Sequence, residues 1–273
     1  MTTFTIPLED LHLDIIGKAQ RGLGLSDEAL LAAAGITAAE WDQLQSGDPA
    51  APALAKVAPI LGLGASALSA SALKTWHPAS VALDGLAQFN TVFEDMTVNA
   101  YLVWDPATRE ALAFDSGGDA TPLLAYATAH GLAIKLILLT HTHVDHIADL
   151  PKLIAATSAP VWVHSAEALP DTHLFEAGKT FELAALRIET RHTHGHSAGG
   201  VSFIVHGLAA PLAIVGDALF AGSMGGGKVS YADALATNAR HLLTLPDPTV
   251  LAPGHGPLTT LGEEKQHNPF IAR

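Results

Sequence analysis

The stretch Thr140-His141-Thr142-His143-Val144-Asp145-His146 contains three imidazoles and a carboxylate within six residues. It follows residues 133–139, an apolar run whose length and Leu/Ile content predict a buried strand. Burying such polar side chains is costly unless a partner compensates, and a metal ion would do so. Side chains at i and i+2 of an extended segment point the same way, so His141 and His143 can bind one ion. A helix beginning near Val144 would direct Asp145 and His146 towards a second ion.

Composition limits the chemistry that this chain can use. Its 273 residues are 49% hydrophobic and 15% charged, which suits a folded core. There is no cysteine, so any metal must be bound by histidine and carboxylate. The net charge of -13 disfavours nucleic acids as partners.

Two features of the chain bear on its location. No apolar run reaches the roughly 18 residues of a membrane helix, so we expect no membrane association. Residues 1–5 lack a basic segment followed by an apolar one, so no secretory signal is expected. A cytoplasmic protein is the default expectation.

The sequence predicts two regions and an α+β fold. Residues 1–75 show short helical segments broken by Gly and Pro, and residues 76–273 carry the strands. Early strands form hairpins, and later ones alternate with helices predicted at 121–130, 147–156 and 231–245. Two sheets covered by helices are the expected architecture.

Residues 25–37 of the helical region resemble a repressor-type helix-turn-helix, with Ala29, Ala34 and Gly35 at that motif's small-residue and turn positions. Residues 38–44, where a recognition helix would lie, contain two acids and no base. DNA recognition needs phosphate neutralisation and contacts to base edges. A metal-sensing DNA-binding regulator is therefore the least favoured function. We expect these helices to serve packing, homodimerisation or the lining of an active site.

Three further turns supply candidate ligands. A Gly-rich turn between two predicted strands contains His196, a third imidazole for the first ion. Asp217 ends a predicted strand and is placed to bridge two cations. His255 lies in a turn stiffened by Pro253 and Gly256 after the last strand. Side chains at strand ends can meet at one edge of a sheet.

The order of these motifs resembles the metallo-β-lactamase superfamily, whose signature matches His141-x-His143-x-Asp145-His146. The resemblance implies an αβ/βα four-layer sandwich from about residue 99, preceded here by a small all-helical domain. It implies a first metal on His141, His143, His196 and Asp217. A second metal would bind Asp145, His146, His255 and again Asp217. Asp115 matches an acidic residue that hydrogen-bonds a ligand histidine.

Within that superfamily the pattern is most similar to glyoxalase II and its relatives. An acid at position 217 and the absence of cysteine are unlike the lactamase branches, and residues 254–270 resemble small glyoxalase-II-like proteins. Only 18 residues follow His255 in this sequence, so the helical C-terminal domain of full glyoxalase II is not expected here. Lys228 and His194 are the candidate substrate-binding residues.

The expected reaction is hydrolysis of a small thioester or ester. A hydroxide bridging two divalent ions is nucleophilic at neutral pH and would attack the carbonyl, with Asp145 orienting it. Zinc suits this ligation, and iron and manganese suit it nearly as well. A mononuclear iron persulfide dioxygenase and a lactonase are the alternatives.

Overall fold

The structure, a computed structural model, describes residues 6–272. Residues 1–5, for which the sequence predicts no secretory signal, lie outside the described residues. Within that range five helices precede two six-stranded sheets. None of the helices in residues 6–272 combines the length and apolar character needed to cross a bilayer.

Five short helices open the described chain, at α1 (His12–Gly22), α2 (Asp27–Ala34), α3 (Ala38–Gln45), α4 (Ala53–Ile60) and α5 (Ala65–Ala72). Their N-termini include two side-chain caps, because Ser26 accepts from the amide of Ala29 and Thr37 accepts from that of Glu40. Gly35 ends α2 in the left-handed conformation, with φ of 61°, which favours glycine.

The first sheet begins with a meander and continues with parallel strands. Its strands are β1 (Leu86–Phe93), β2 (Met96–Trp104), β3 (Glu110–Phe114), β4 (Ala133–Leu138), β5 (Val161–His164) and β6 (His173–Phe175), adjacent in that order. The strands β1, β2 and β3 pair antiparallel, and β3 to β6 pair in parallel. The helices that connect or follow these strands are α6 (Thr121–Ala129), α7 (Val144–Ile147) and α8 (Leu150–Thr157).

The second sheet is mostly antiparallel. Its strands are β7 (Thr180–Leu183), β8 (Leu186–His192), β9 (Val201–His206), β10 (Leu212–Gly216), β11 (Val250–Pro253) and β12 (Thr259–Thr260), again adjacent in chain order. The only parallel pair among these described strands is β10 with β11, and the helix α9 (Tyr231–His241) connects them. The last helix is α10 (Leu261–His267).

Three hydrophobic clusters stack the elements into four layers. Alternate side chains of β2 explain the arrangement: Tyr101 and Val103 face the second sheet, while Leu102 and Trp104 face α6 and α8. A central cluster lies between the sheets, where the rings of Phe114 and Phe203 are 5.2 Å apart. The predicted αβ/βα four-layer sandwich is confirmed.

The N-terminal helices belong to the outer layer on the second sheet. One cluster joins Ile15, Leu30 and Leu68 of these helices to Val215 and Leu251 of β10 and β11. The helices and the sheet therefore share one hydrophobic core. The predicted division into domains at residues 1–75 and 76–273 stays a prediction.

Several predicted elements differ in extent from the observed ones. The helix predicted at 147–156 is α8, which begins only at Leu150, and Pro151 lies in its first turn, where its missing amide hydrogen costs nothing. The helix predicted at 231–245 ends at His241, and Pro246 disfavours helical backbone in the residue before it. The strands β6 and β12, of three and two residues, are too short to show a strand pattern in sequence.

Candidate metal centre

Three imidazole nitrogens and one carboxylate converge after β4. Nδ1 of His143 lies 3.0 Å from Nε2 of His141 and 2.9 Å from Nε2 of His196. The Asp217 Oδ2 atom lies 3.2 Å from the same nitrogen of His196. Nδ1 of His143 can make a hydrogen bond to only one of these two Nε2 atoms, since it offers either one hydrogen or one lone pair. This convergence of lone pairs suits a cation.

A second group lies on the other side of Asp217. Oδ2 of Asp145 is 3.2 Å from Nε2 of His255 and 3.5 Å from Nε2 of His146. The Asp217 Oδ1 atom lies 3.2 Å from Nε2 of His146, and its Oδ2 lies 3.6 Å from Nε2 of His255. Asp217 therefore faces both groups with one carboxylate.

The scaffold brings these side chains together from strand ends. His141 and His143 follow β4, His196 lies between β8 and β9, Asp217 follows β10 and His255 follows β11.

Glycines allow the close approach of the backbone at this edge. A Cβ on Gly254 would lie 2.1 Å from Asp217 Oδ1, and one on Gly225 would lie 2.9 Å from Nδ1 of His196. These positions therefore have no room for a side chain.

Hydrogen bonds behind the rings fix their orientation. The Nδ1 atoms of His196 and His255 contact the carbonyl oxygens of Gly226 and Thr97, at 2.9 and 2.7 Å. A carbonyl can only accept, so each Nδ1 carries a hydrogen. When these rings are neutral, the lone pairs on their Nε2 atoms face the cluster.

Burial and charge set the protonation of the cluster. Burial lowers the pKa of His141 and of His143. Burial also acts to lower the pKa of His146 and His255, but neighbouring carboxylates, Asp217 foremost, raise them to about 10 and about 11. Burial alone would raise the pKa of Asp217. The charges of His255 and His146 outweigh burial, so that the pKa lies well below its usual value. Binding a second cation would displace protons from His146 and His255.

The residues present fit a two-cation centre. Within residues 6–272, two groups of histidine and acid side chains could hold a metal, and their members are the seven predicted ligands. In each group the candidate ligand atoms lie within 4.8 Å of one another. Nε2 of His146 and Oδ1 of Asp217 are buried and make no hydrogen bond within the described chain. A cation between them would compensate both atoms.

Residues 94–255 match the family model of the metallo-beta-lactamase superfamily. The match covers more than half of the chain and spans every predicted ligand. The chain belongs to the metallo-beta-lactamase superfamily. The five N-terminal helices precede the matched residues.

Several known proteins are similar to this chain over about two thirds of its length. The chain is 34% identical over 200 residues to "Probable metallo-hydrolase YqgX" of Bacillus subtilis, an alignment of 63% of this chain and 92% of that protein. It is 29% identical over 198 residues to "Hydroxyacylglutathione hydrolase GloC" of Haemophilus influenzae, with coverage of 63% and 92%. A solved structure of TTHA1623 in a di-iron-bound form is 31% identical, with a TM-score of 0.55 over 67% of this chain and all of that one.

Asp115 contacts the candidate ligand histidines from behind. Its Oδ2 lies 2.8 Å from Nδ1 of His146, and its Oδ1 accepts from the amide of Thr140 at 2.8 Å. The Thr140 hydroxyl donates to Asp115 at 2.7 Å and lies 3.1 Å from Nδ1 of His141. Asp115 therefore contacts one candidate ligand directly and another through Thr140.

Glu167 connects two loops that carry candidate metal ligands, the one with His141 and His143 and the one with His196. The sequence did not reveal this role. Its carboxylate accepts from the amide and hydroxyl of Thr142, between His141 and His143. It also accepts from the amide of Gly199, at 2.9 Å, beside the His196 turn. No local pattern marks Glu167, because its partners lie 25 and 32 residues away.

Five members of the two groups line an open cavity of about 550 Å³, namely His143, Asp145, His196, Asp217 and His255. Of the two candidate substrate-binding residues, Lys228 lines this cavity and His194 does not, and a substrate-binding role for Lys228 stays a prediction. The ring of His194 instead lies beside that of His192, with ring centres 4.3 Å apart and the ring planes tilted by 31°. The lining also includes residues from the N-terminal segment that sequence reasoning missed, namely Glu9, Lys18, Arg21 and Gly22.

Proposed function

We propose that this protein is a dinuclear metallo-hydrolase that cleaves small thioesters or esters, as hydroxyacylglutathione hydrolases do. The observation that carries this proposal is the position of the Asp217 carboxylate, which faces two separate groups of candidate ligands at the floor of one cavity. The relative named a hydroxyacylglutathione hydrolase supports the choice of reaction.

The residues that would hold the cations follow from the two groups. His141, His143 and His196 would bind the first, and Asp145, His146 and His255 the second, with Asp217 between them. A bound pair of divalent cations, zinc being our first choice, would activate water at neutral pH and polarise a carbonyl oxygen.

The chain's own groups orient and hold the reactants. Asp145 is half-buried and lines the cavity, so its carboxylate can accept a hydrogen bond from a water on the cavity floor. Burial acts to raise the pKa of Asp145, but a hydrogen bond from His255 and the charge of His146 lower it overall. Asp145 is therefore an acceptor at neutral pH, and we propose that it orients the attacking water.

The cavity suits a small acyl compound. Its volume lies in the range of small-molecule sites, roughly 300–1,000 Å³. Met96 and Phe220 add apolar surface beside the charged groups, where an acyl chain or a thiol substituent can pack. Water and a thioester would yield a carboxylic acid and a thiol, both of which can leave through the open side.

The test combines metal content per chain with hydrolysis of S-lactoylglutathione on the same sample. We expect two metals per chain and thioester turnover, and we expect His143→Ala to lose both the turnover and metal. His143 is half-exposed at the cavity, so its removal should leave the fold intact.

The matched control is His206→Ala, which removes a half-buried histidine at the end of β9 that does not line the cavity. It should retain turnover and both metals. One iron per chain, with oxygen uptake on a persulfide, would contradict the proposal and favour the dioxygenase. Turnover of lactones but not of thioesters or simple esters would favour the lactonase.

A further inference from the structure

We propose that the N-terminal helix α1 supplies a substrate-recognition subsite, in which Arg21 acts with Lys228 to bind a carboxylate of the substrate. The proposal rests on the hydrolase function above and narrows its substrate to thioesters or esters that carry a negative charge. Arg21 lies outside the residues that match the superfamily.

Arg21 and Lys228 line the same cavity as the metal groups. Arg21 is in the last turn of α1, and Lys228 is in the loop that follows the three glycines 225–227. Both residues are exposed.

Neither cation is neutralised by the described part of the chain. Within residues 6–272, the side chains of Arg21 and Lys228 make no hydrogen bond and no ion pair with an acid. Acids outnumber bases by 27 to 14 in this chain, so acidic partners are plentiful elsewhere. Lys18, by contrast, lines the same cavity and pairs with Asp10. Two unpaired cations above a catalytic floor can bind an anionic ligand group.

The position of α1 against the cavity is fixed by buried contacts. Lys18 donates to the carbonyl oxygen of Met224 at 2.9 Å and to Asp10, and Asp10 also accepts from the hydroxyl of Ser223. Gly22 packs so closely on the ring of Tyr231 that a Cβ would lie 2.2 Å from it. These contacts join α1 to the segment that carries Lys228.

The helix also makes room for the guanidinium group. A Cβ on Gly17 would lie 2.9 Å from Nη1 of Arg21, so the Arg21 side chain lies along the face of α1 that Gly17 leaves open. A planar guanidinium group in this position can donate two parallel hydrogen bonds to a carboxylate.

Binding of two unreactive ligands tests the subsite without turnover. The probes are the acetonyl thioethers of 3-mercaptopropionate, an anion, and of 3-mercaptopropanamide, its neutral counterpart. Calorimetry on the metal-loaded full chain should show about tenfold tighter binding of the anion, the equivalent of one charge-assisted hydrogen bond. Arg21→Gln and Lys228→Gln should each remove most of this preference, and Arg21→Lys should keep part of it.

Arg240→Gln is the matched control. Arg240 is also an exposed arginine in the last turn of a helix, so its loss has the same effect on the helix dipole, but it does not line the cavity. The anion preference should be unchanged in this variant. Equal binding of both probes to the parent protein would overturn the proposal. So would a preference that survives in Arg21→Gln as it does in Arg240→Gln.

Turnover of the matching acetyl thioesters separates the two proposals. Hydrolysis of both thioesters without an anion preference would leave the hydrolase standing and reject the subsite. An anion preference in binding, without hydrolysis of either thioester, would keep the subsite and reject the hydrolase.

Discussion

Asp115→Asn should weaken one metal site more than the other. The carboxylate of Asp115 accepts from the amide and hydroxyl of Thr140 and from Nδ1 of His146. An asparagine has one carbonyl oxygen and one amide group, so it cannot accept on both sides. If its oxygen faces the amide of Thr140, its NH₂ group faces Nδ1 of His146. That ring must then carry its hydrogen on Nε2, the atom that faces Asp217.

The size of the effect follows from this forced choice. A hydrogen on Nε2 of His146 blocks the lone pair that would bind the second cation. The reverse rotamer leaves the buried Thr140 amide facing a donor, which costs about 1–3 kcal/mol. Replacing such a partner of a ligand histidine lowers metal affinity by about 10- to 100-fold. We expect that loss at the site of Asp145, His146 and His255.

Competition with a chromophoric chelator, followed by metal analysis, measures the affinities. The parent protein should bind two equivalents of zinc, and the variant should bind one tightly and one about 10- to 100-fold more weakly. Asp119→Asn is the control, since Asp119 lies in the same loop but is exposed and pairs with Lys152. Unchanged binding of both equivalents in Asp115→Asn would refute the reasoning.

Three other predictions concern stability and the ligand loops. Burial raises the pKa of Glu264 from 4.5 to about 7, so its protonated form stabilises the fold, and stability should fall by up to about 3 kcal/mol as pH rises from about 4.5 through 7. In urea unfolding of metal-free protein, Glu264→Gln should flatten this fall; a difference between variant and parent that does not change with pH would contradict it. Leu30→Ala should lower the free energy of unfolding by about 2–5 kcal/mol, because Leu30 is buried in a core shared with β10. For the same reason the helix and strand signals in circular dichroism should be lost in one transition, and two separate transitions would argue against the shared core. Glu167→Ala should weaken chelator-measured metal affinity at the first site by about 10-fold or more, as it frees two ligand loops; an affinity equal to the parent's would exclude this role.

The candidate metal centre was predictable because several of its candidate ligands lie in short local patterns. His141, His143, Asp145 and His146 fall within one turn after an apolar run, and a strand end needs no distant information to place them. The hairpins and the strand and helix alternation predict two sheets covered by helices, whereas the αβ/βα four-layer order was implied by the family resemblance. Loops that follow neighbouring strands can meet at one edge of a sheet. The structure brings all seven predicted ligands together in two adjacent groups.

The supporting and recognition residues were not predictable in this way. Glu167 and Thr142 meet only because β5 lies beside β4 in the first sheet. Lys18 and Met224 are 206 residues apart, and Asp10 and Ser223 are 213 apart. No periodicity or spacing connects such pairs, so the contribution of α1 to the cavity depends on tertiary packing alone.

That packing also bears on the helix-turn-helix resemblance, which stays a prediction. In α3, the segment in the position of a recognition helix, Trp41 and Leu44 are buried in the core shared with the second sheet. Its exposed face carries Asp42 and no base. Presenting that face to DNA would bring a carboxylate against phosphate without a compensating cation. Packing on the sheet and lining the cavity through α1 explain the same helices without that cost, because both uses employ contacts that the fold already makes.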